Sequence, residues 1–224
     1  LLTIRFIQGR DAELVDTAAE IAGSPTLNPA EFSFQATAAC LAVRAGDPGR
    51  ARTMLDQVTA PGLAALPQSS TWLIGMLSLA DAAHGIGDAS LARQVEELVE
   101  PFAGLPITPS LAVTCLGSAE RILALTRLTR GDQDGAVAAF ERAVDATRLL
   151  GNRPMTAVNT ADLALALVAR NAPGDRARAV ELLTSAHGEA VAMGLDRRAA
   201  QWLETLAGLT ETAATIVRTG RQWV

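Results

Sequence analysis

The chain has 224 residues and a formal net charge of −5, and 49% of its residues are hydrophobic while only 4% are aromatic. All 19 basic residues are arginine, which excludes sites that need lysine, such as a phosphate-binding P-loop or a Schiff base. The chain lacks the basic excess that drives binding to a phosphate backbone, so we expect no direct contact with nucleic acid. No apolar run reaches the roughly 18 residues of a membrane span.

The two cysteines, Cys40 and Cys115, lie in apolar stretches without CxxC spacing. This pattern favours small buried hydrophobic residues over a disulfide or a metal site. A reducing cytoplasm is therefore the expected location. The chain begins without Met, and we expect it to be a piece of a longer protein.

In chain order, the first predicted elements are two helices near Leu1–Ile7 and Asp11–Ala22. We expect them to be a helix pair that lacks the beginning of its first helix. Four complete pairs and a last helix follow, and apolar residues recur in the second helices at intervals of three and four. Asn28-Pro29 and Thr108-Pro109 supply a cap and a first helical proline for two of the first helices. The first helices are predicted near Pro29–Ala45, Ser70–Ile86, Pro109–Arg130 and Pro154–Arg170, the second helices near Gly49–Val58, Ala89–Phe102, Gln133–Leu150 and Arg176–Met193, and the last helix near Arg197–Ala207.

A Gly-Asp pair joins the two helices of each complete pair, and the four Gly-Asp pairs recur at intervals of 41, 44 and 43 residues. Glycine ends the first helix in the left-handed conformation, and aspartate caps the second helix. The fourth residue after each aspartate is alanine, which lets a neighbouring helix approach closely. These repeat-corner residues are Gly46, Asp47 and Ala51; Gly87, Asp88 and Ala92; Gly131, Asp132 and Ala136; and Gly174, Asp175 and Ala179.

Such periodicity is typical of stacked helical repeats. We therefore predict that residues 1–208 form an all-α solenoid of antiparallel helix pairs, with about ten to eleven helices and a period of about 41 to 44 residues. Residues 209–224 are predicted to be an extended segment that leads to a further domain.

The segment GDQDGAVAAFERAV, residues 131–144, resembles the second-helix signature of tetratricopeptide repeats, although the period here exceeds the usual value of about 34 residues. LPQSSTWLIGMLSLADAAHGIGDASLA and the segment from LVEPFAGLPI to GAVAAFERA, residues 66–92 and 98–143, resemble the helical-repeat region of large bacterial ATP-dependent regulators. The resemblance covers roughly Ile4–Leu206. It implies an attached AAA-like ATPase, in some members a nucleotide cyclase, and in others a LuxR-type output domain. None of the ATPase or cyclase motifs occurs in this chain, so no cofactor is carried over.

No catalytic constellation is recognisable in the sequence. His84 and His187 have no ligand-spaced partner, so no metal site is predicted. Glu96, Glu97 and Glu100 form a charge run that favours a solvated helix face. We therefore expect no enzyme activity.

Polar residues within the otherwise apolar first helices are the candidate site. They are Glu120, Arg121, Arg127, Asn159 and Asp162. In tetratricopeptide-like stacks the first helices line the concave face, so the resemblance implies that these residues face the groove. They would either bind a peptide or a small polar effector there, or form a buried network, such as Arg121 with Asp162, that fixes the stacking.

The sequence thus favours a non-catalytic binding and scaffolding module of a cytoplasmic, signal-responsive transcriptional regulator. Such a module would bind a protein or small effector in its groove and couple it to ATPase and output domains. The alternative is a purely structural role, either as a spacer between domains or in self-association through an apolar patch at Leu1–Ile7.

Overall fold

The computed structural model describes residues 2–27, 31–109 and 114–220, with the backbone alone over 211–220. These residues form eleven α-helices and no strand, which confirms the all-α class. Within them, no helix combines the length and the apolar character that crossing a membrane requires. The helices are α1 (Leu2–Gln8), α2 (Val15–Ala22), α3 (Ser33–Arg44), α4 (Pro48–Thr59), α5 (Trp72–Ile86), α6 (Ala89–Val99), α7 (Glu120–Thr129), α8 (Gln133–Leu149), α9 (Arg153–Arg170), α10 (Asp175–Ala192) and α11 (Asp196–Gly220), and short 3-10 helices cover Asp11–Leu14, Leu63–Ala65 and Glu100–Phe102.

Three of the four predicted Gly-Asp corners form as expected. Gly46, Gly87 and Gly131 have φ values of 81°, 73° and 84°, which are left-handed. The following aspartates cap the next helix: Asp47 accepts from the backbone amide of Arg50, Asp88 from those of Ser90 and Leu91, and Asp132 from that of Gly135. Each capping bond satisfies an amide that the helix itself leaves without a partner.

The fourth corner differs from the prediction. Here Asn171, with a φ of 54°, ends α9, and the longer loop that follows makes Asp175 the first residue of α10 rather than its cap. The Asp175 carboxylate instead turns back to the preceding loop, where it accepts from the Ala172 amide at 2.9 Å and from two nitrogens of Arg170. The ion pair between Arg170 and Asp175 therefore holds the loop against the end of α9.

The alanine after each corner is fully buried. Ala51, Ala92, Ala136 and Ala179 are all 0% exposed. Consecutive helices pack against each other from α2 to α11 through the main hydrophobic core and a smaller cluster. The absence of a larger side chain at these positions allows the close helix contacts.

Helix α7 begins eleven residues later than predicted. Leu105–Ile107 runs antiparallel to Leu116–Ala119, with the Ile107 amide donating to Gly117 at 2.8 Å and the Leu116 amide to Ile107 at 2.9 Å. Gly117 has a φ of 92°, which a helix interior cannot accommodate. The predicted helical start at Pro109 is therefore wrong, while the predicted Asn28-Pro29 start lies in the segment 28–30, outside the described residues.

The extended segment predicted after residue 208 is also wrong over 209–220. Helix α11 continues to Gly220, because a single interior glycine such as Gly208 costs a helix only about 1 kcal/mol. Residues 221–224 lie outside the described residues.

The short helix α1 brings the two ends of the chain together. It contacts the first 3-10 helix near the amino end of the chain, and also α9 and α11 near the other end. The guanidinium of Arg198 on α11 donates to the backbone carbonyl of Phe6, and Arg197 forms a 3.1 Å ion pair with Glu13. Phe6 and Ile7 pack against the core, so the predicted apolar patch at the amino end is only partly open, with Ile4 58% exposed.

Candidate functional site

A chain of alternating charges crosses the first helices of the fold, and we call it the Arg–Asp ladder. It consists of Asp11, Arg44 on α3, Asp81 on α5, Arg121 on α7 and Asp162 on α9. The nitrogen–oxygen distances between successive members are 2.5, 3.3, 3.1 and 3.0 Å. The ion pairs therefore join the first 3-10 helix to α3, and then α3 to α5, α5 to α7 and α7 to α9.

The centre of the ladder is held in its charged form. Burial alone would raise the pKa of Asp81, but the guanidinium groups of Arg121 and Arg44 outweigh it and lower that pKa. Burial likewise opposes the charge on Arg121, whose side chain is only 4% exposed, and Asp81 and Asp162 raise its pKa above the usual value. Mutual neutralisation thus stabilises charges that would be costly to bury alone.

The aromatic ring of Phe6 lies beside the ladder. The guanidinium carbons of Arg44, Arg198 and Arg121 are 4.8, 5.5 and 5.9 Å from the ring centroid. Cations at these distances are attracted to the electron-rich face of a ring. Helix α1 therefore places an aromatic side chain among three arginines that come from three different helices.

A cavity of about 230 Å³ lies between α1, α3 and α5, next to the ladder. Its walls are mainly apolar and include Leu41 and Leu77, whereas its charged lining residues are Asp11, Arg44 and Asp81. An apolar cavity of about 150 Å³ is enough to hold a benzene molecule. This cavity therefore has room for an aromatic ring with a short side chain.

Hydroxyl groups and a thiol complete the cavity wall. Thr37 and Ser78 lie with their hydroxyl oxygens 3.1 Å apart, and Thr37 donates to the Ser33 carbonyl at 2.7 Å. Cys40 is buried in the same wall, and burial raises the pKa of its thiol to about 11. The thiol is therefore neutral near pH 7, as expected of a small hydrophobic wall residue rather than a nucleophile.

The structure brings together only two of the five predicted groove residues. Arg121 and Asp162 meet in the ladder, with Arg121 Nε donating to Asp162 at 3.0 Å. This is the ion pair that the sequence offered as the alternative to a ligand site. The ion pair joins α7 directly to α9, so it contributes to helix stacking.

The other three predicted residues lie elsewhere. Glu120 is buried and forms a 2.9 Å ion pair with Arg142 on α8. Arg127 binds Glu96 on α6 at 2.8 Å, so Glu96 belongs to a buried ion pair and not to a solvated face. Asn159 is 0% exposed and its amide donates to the Ala143 carbonyl at 3.2 Å. These residues join first helices to second helices rather than facing one groove.

Sequence reasoning missed Asp11, Arg44 and Asp81 as site residues. One signal for them was present, because Arg44 lies two residues before Gly46, Asp81 six before Gly87 and Arg121 ten before Gly131. The ladder thus moves by about one helical turn per repeat. A search for constant positions relative to the corners does not detect such a shift.

The arrangement suits binding better than acid–base chemistry. The lowered pKa of Asp81 keeps its carboxylate ionised, whereas a general acid near neutral pH needs a raised one. Within the described residues, no group of three His, Cys, Asp or Glu side chains is placed to hold a metal ion.

No protein-family model, curated protein or solved structure matches the chain. Function is therefore inferred from the cavity and the ladder.

Proposed function

We propose that the chain is a non-catalytic effector-binding module, built as a tetratricopeptide-like solenoid and belonging to a cytoplasmic signal-responsive regulator. The cavity between α1, α3 and α5 is the effector site. In the intact protein, attached ATPase and output domains receive the state of this site. The regulatory part rests on the resemblance of residues 66–92 and 98–143 to the repeat region of bacterial ATP-dependent regulators.

The observation that carries the proposal is the position of the cavity against the ladder. Arg44 and Asp81 belong to both, so a ligand that contacts these two residues touches the ion pairs that tie α3 to α5 and α5 to α7. A ligand that changes these contacts biases the spacing of several helices at once. Stacked repeats transmit such changes because each unit contacts mainly its neighbours.

A thermal-shift screen of the purified chain against small aromatic, aliphatic and sugar-like compounds tests the proposal. A compound at 100 times its dissociation constant stabilises the fold by about 2.7 kcal/mol, which raises the midpoint by about 5 to 10 °C for a chain of this size. Ser78→Leu fills the cavity wall and should abolish the shift. Ser90→Leu, at an exposed position, should retain it. A ligand that stabilises parent and Ser78→Leu equally binds elsewhere and contradicts the proposal.

A structural module is the second candidate function, and the exposure of Ile4 favours it. Its side chain is 58% exposed on α1, at the amino end of the described chain. If this patch mediates self-association, the mass from light scattering rises with concentration and Ile4→Asp abolishes the rise. A constant monomer mass opposes self-association. Failure of every screened compound, together with strong destabilisation by Arg121→Ala and Asp162→Ala, favours a scaffold over an effector site.

A further inference from the structure

Helix α1 lies against the Arg–Asp ladder and is held there by a few side-chain and backbone contacts. It has seven residues and none of them is fully buried. An isolated helix of this length is not stable in water, so its order depends on the contacts that it makes. The principal contacts are the Phe6 ring among three guanidinium groups and the Phe6 carbonyl on Arg198.

Arg198 is the member of this group whose guanidinium has no carboxylate partner among the described residues. Its terminal nitrogens donate to the Phe6 carbonyl and, at 3.4 Å, to the side-chain oxygen of Gln201, while its Nε is buried without a hydrogen-bond partner. The neighbouring Asp11 and Asp162 carboxylates are bound to Arg44 and Arg121. Burial first, and then the charge of Arg44, lower the pKa of Arg198. A backbone carbonyl is a weaker partner for such a cation than a carboxylate.

We propose that α1 is a displaceable internal occupant of this site, and that the ligand which replaces it is an aromatic carboxylate with two carbons between ring and carboxyl group. The ring takes the place of Phe6 among Arg44, Arg121 and Arg198. The carboxylate takes the place of the Phe6 carbonyl on Arg198. This inference rests on the proposed function, whose effector it assigns to a chemical class.

The spacing in the ligand follows from the atoms of Phe6. Cβ and Cα separate its ring from the carbonyl carbon, and 3-phenylpropanoate has the same two carbons between its ring and its carboxyl group. The cavity walls that α3 and α5 supply stay in place when α1 is displaced, and they receive any further substituent on the ring. A carboxyl-terminal phenylalanine of a peptide presents the same atoms, so two sources share this chemistry.

Binding of 3-phenylpropanoate, measured by calorimetry on the whole chain, tests the ligand class. We expect saturable binding that is at least tenfold tighter than that of the neutral 3-phenylpropanamide. In Arg198→Gln this preference should disappear. Equal binding of acid and amide by the parent protein overturns the assignment of the carboxylate, even if Arg198→Gln fails to fold. N-acetyl-glycyl-phenylalanine distinguishes the sources, since a peptide terminus should bind more tightly than the free acid only if peptides are the natural ligand.

Hydrogen exchange tests the displacement. With bound 3-phenylpropanoate, the amides of residues 6–8, which are the ones that α1 itself can hydrogen-bond, should exchange at least fivefold faster, while those of α3 and α5 exchange more slowly. Phe6→Ala removes the internal competitor and should tighten binding at least fivefold. Ile4→Ala, an exposed change on the same helix, should leave binding unchanged.

Two results separate the inference from the proposed function. If the acid binds but α1 exchange is unchanged or slower, or if Phe6→Ala weakens binding, then α1 is a fixed wall and its displacement is wrong, while the effector site stands. If neither 3-phenylpropanoate nor the peptide binds and a different compound gives a shift that Ser78→Leu abolishes, the ligand class is wrong and the proposed function stands.

Discussion

Replacing Asp81 with asparagine removes the carboxylate that two arginines of the ladder share. Asp81 lies 3.1 and 3.3 Å from two nitrogens of Arg121 and 3.3 Å from one nitrogen of Arg44. Asparagine keeps the shape of the side chain but not its charge. The substitution therefore leaves the volume of the core nearly unchanged and removes the negative charge together with one of the two oxygens that accept from the arginines.

Burial sets the magnitude of the effect. The side chain of Arg121 is 4% exposed and that of Asp81 is 13% exposed. Removing one partner of a buried ion pair costs about 3 to 5 kcal/mol, because the other charge is left without compensation. Arg121 retains Asp162 and Arg44 retains Asp11, so we expect the lower end of this range, about 3 kcal/mol.

Urea denaturation at pH 7 measures this free energy of unfolding, with the slope compared to confirm that the denatured state is unchanged. Asp16→Asn is the matched control, because Asp16 pairs with Arg50 at 3.0 Å but is 88% exposed. A surface pair of this kind contributes about 0 to 1 kcal/mol. If Asp81→Asn is as mild as the control, the ladder does not hold the helices together and the reasoning is refuted.

Three further predictions concern the corners, the packing and acid stability. Asp132→Ala removes the cap of α8 and should lower the free energy of unfolding by about 1 kcal/mol in urea; no change would show that water replaces the carboxylate. Gly75→Ala puts a methyl group 2.3 Å from the Phe32 ring and should lower the melting temperature, at a cost of about 1 to 3 kcal/mol; a rise in melting temperature would mean that Phe32 moves freely. Because the folded-state pKa of Asp81 is lowered, the stability that it contributes is present above its unfolded pKa of about 3.9 and is lost as the pH falls through the folded value. Urea midpoints measured from pH 7 to pH 3 should therefore fall less for Asp81→Asn than for the parent, and parallel curves would contradict the assignment.

Local features of the chain were the most predictable from sequence. The corner at Gly131-Asp132 depends on one left-handed residue and one capping bond that spans three residues. Such contacts are determined by neighbours in the chain, so residue type and spacing suffice to identify them. The buried alanines follow from the same register, because a helix that begins at a known residue presents its side chains at known angles.

Predictions failed where the signal for a helix start or cap competed with a different ion pair or backbone pairing. Pro109 has the residue type of a helix start, but the backbone pairing of Leu105–Ile107 with Leu116–Ala119 takes up the amides that a helix would use. Asp175 follows a glycine like the other corner aspartates, yet Arg170 five residues earlier binds its carboxylate. Both outcomes depend on partners that spacing alone does not reveal.

By itself, the sequence determined the helical class, most helix bounds and three of the four corners, because these depend on hydrogen bonds between residues close in the chain. Only the tertiary structure decided that Arg44 and Arg121 share the carboxylate of Asp81, since successive members of the ladder come from different helices and lie 33 to 41 residues apart. It also decided that Phe6 meets Arg198, 192 residues away. Contacts over such distances depend on how all the intervening helices stack, and no local pattern of residues encodes that sum of rotations.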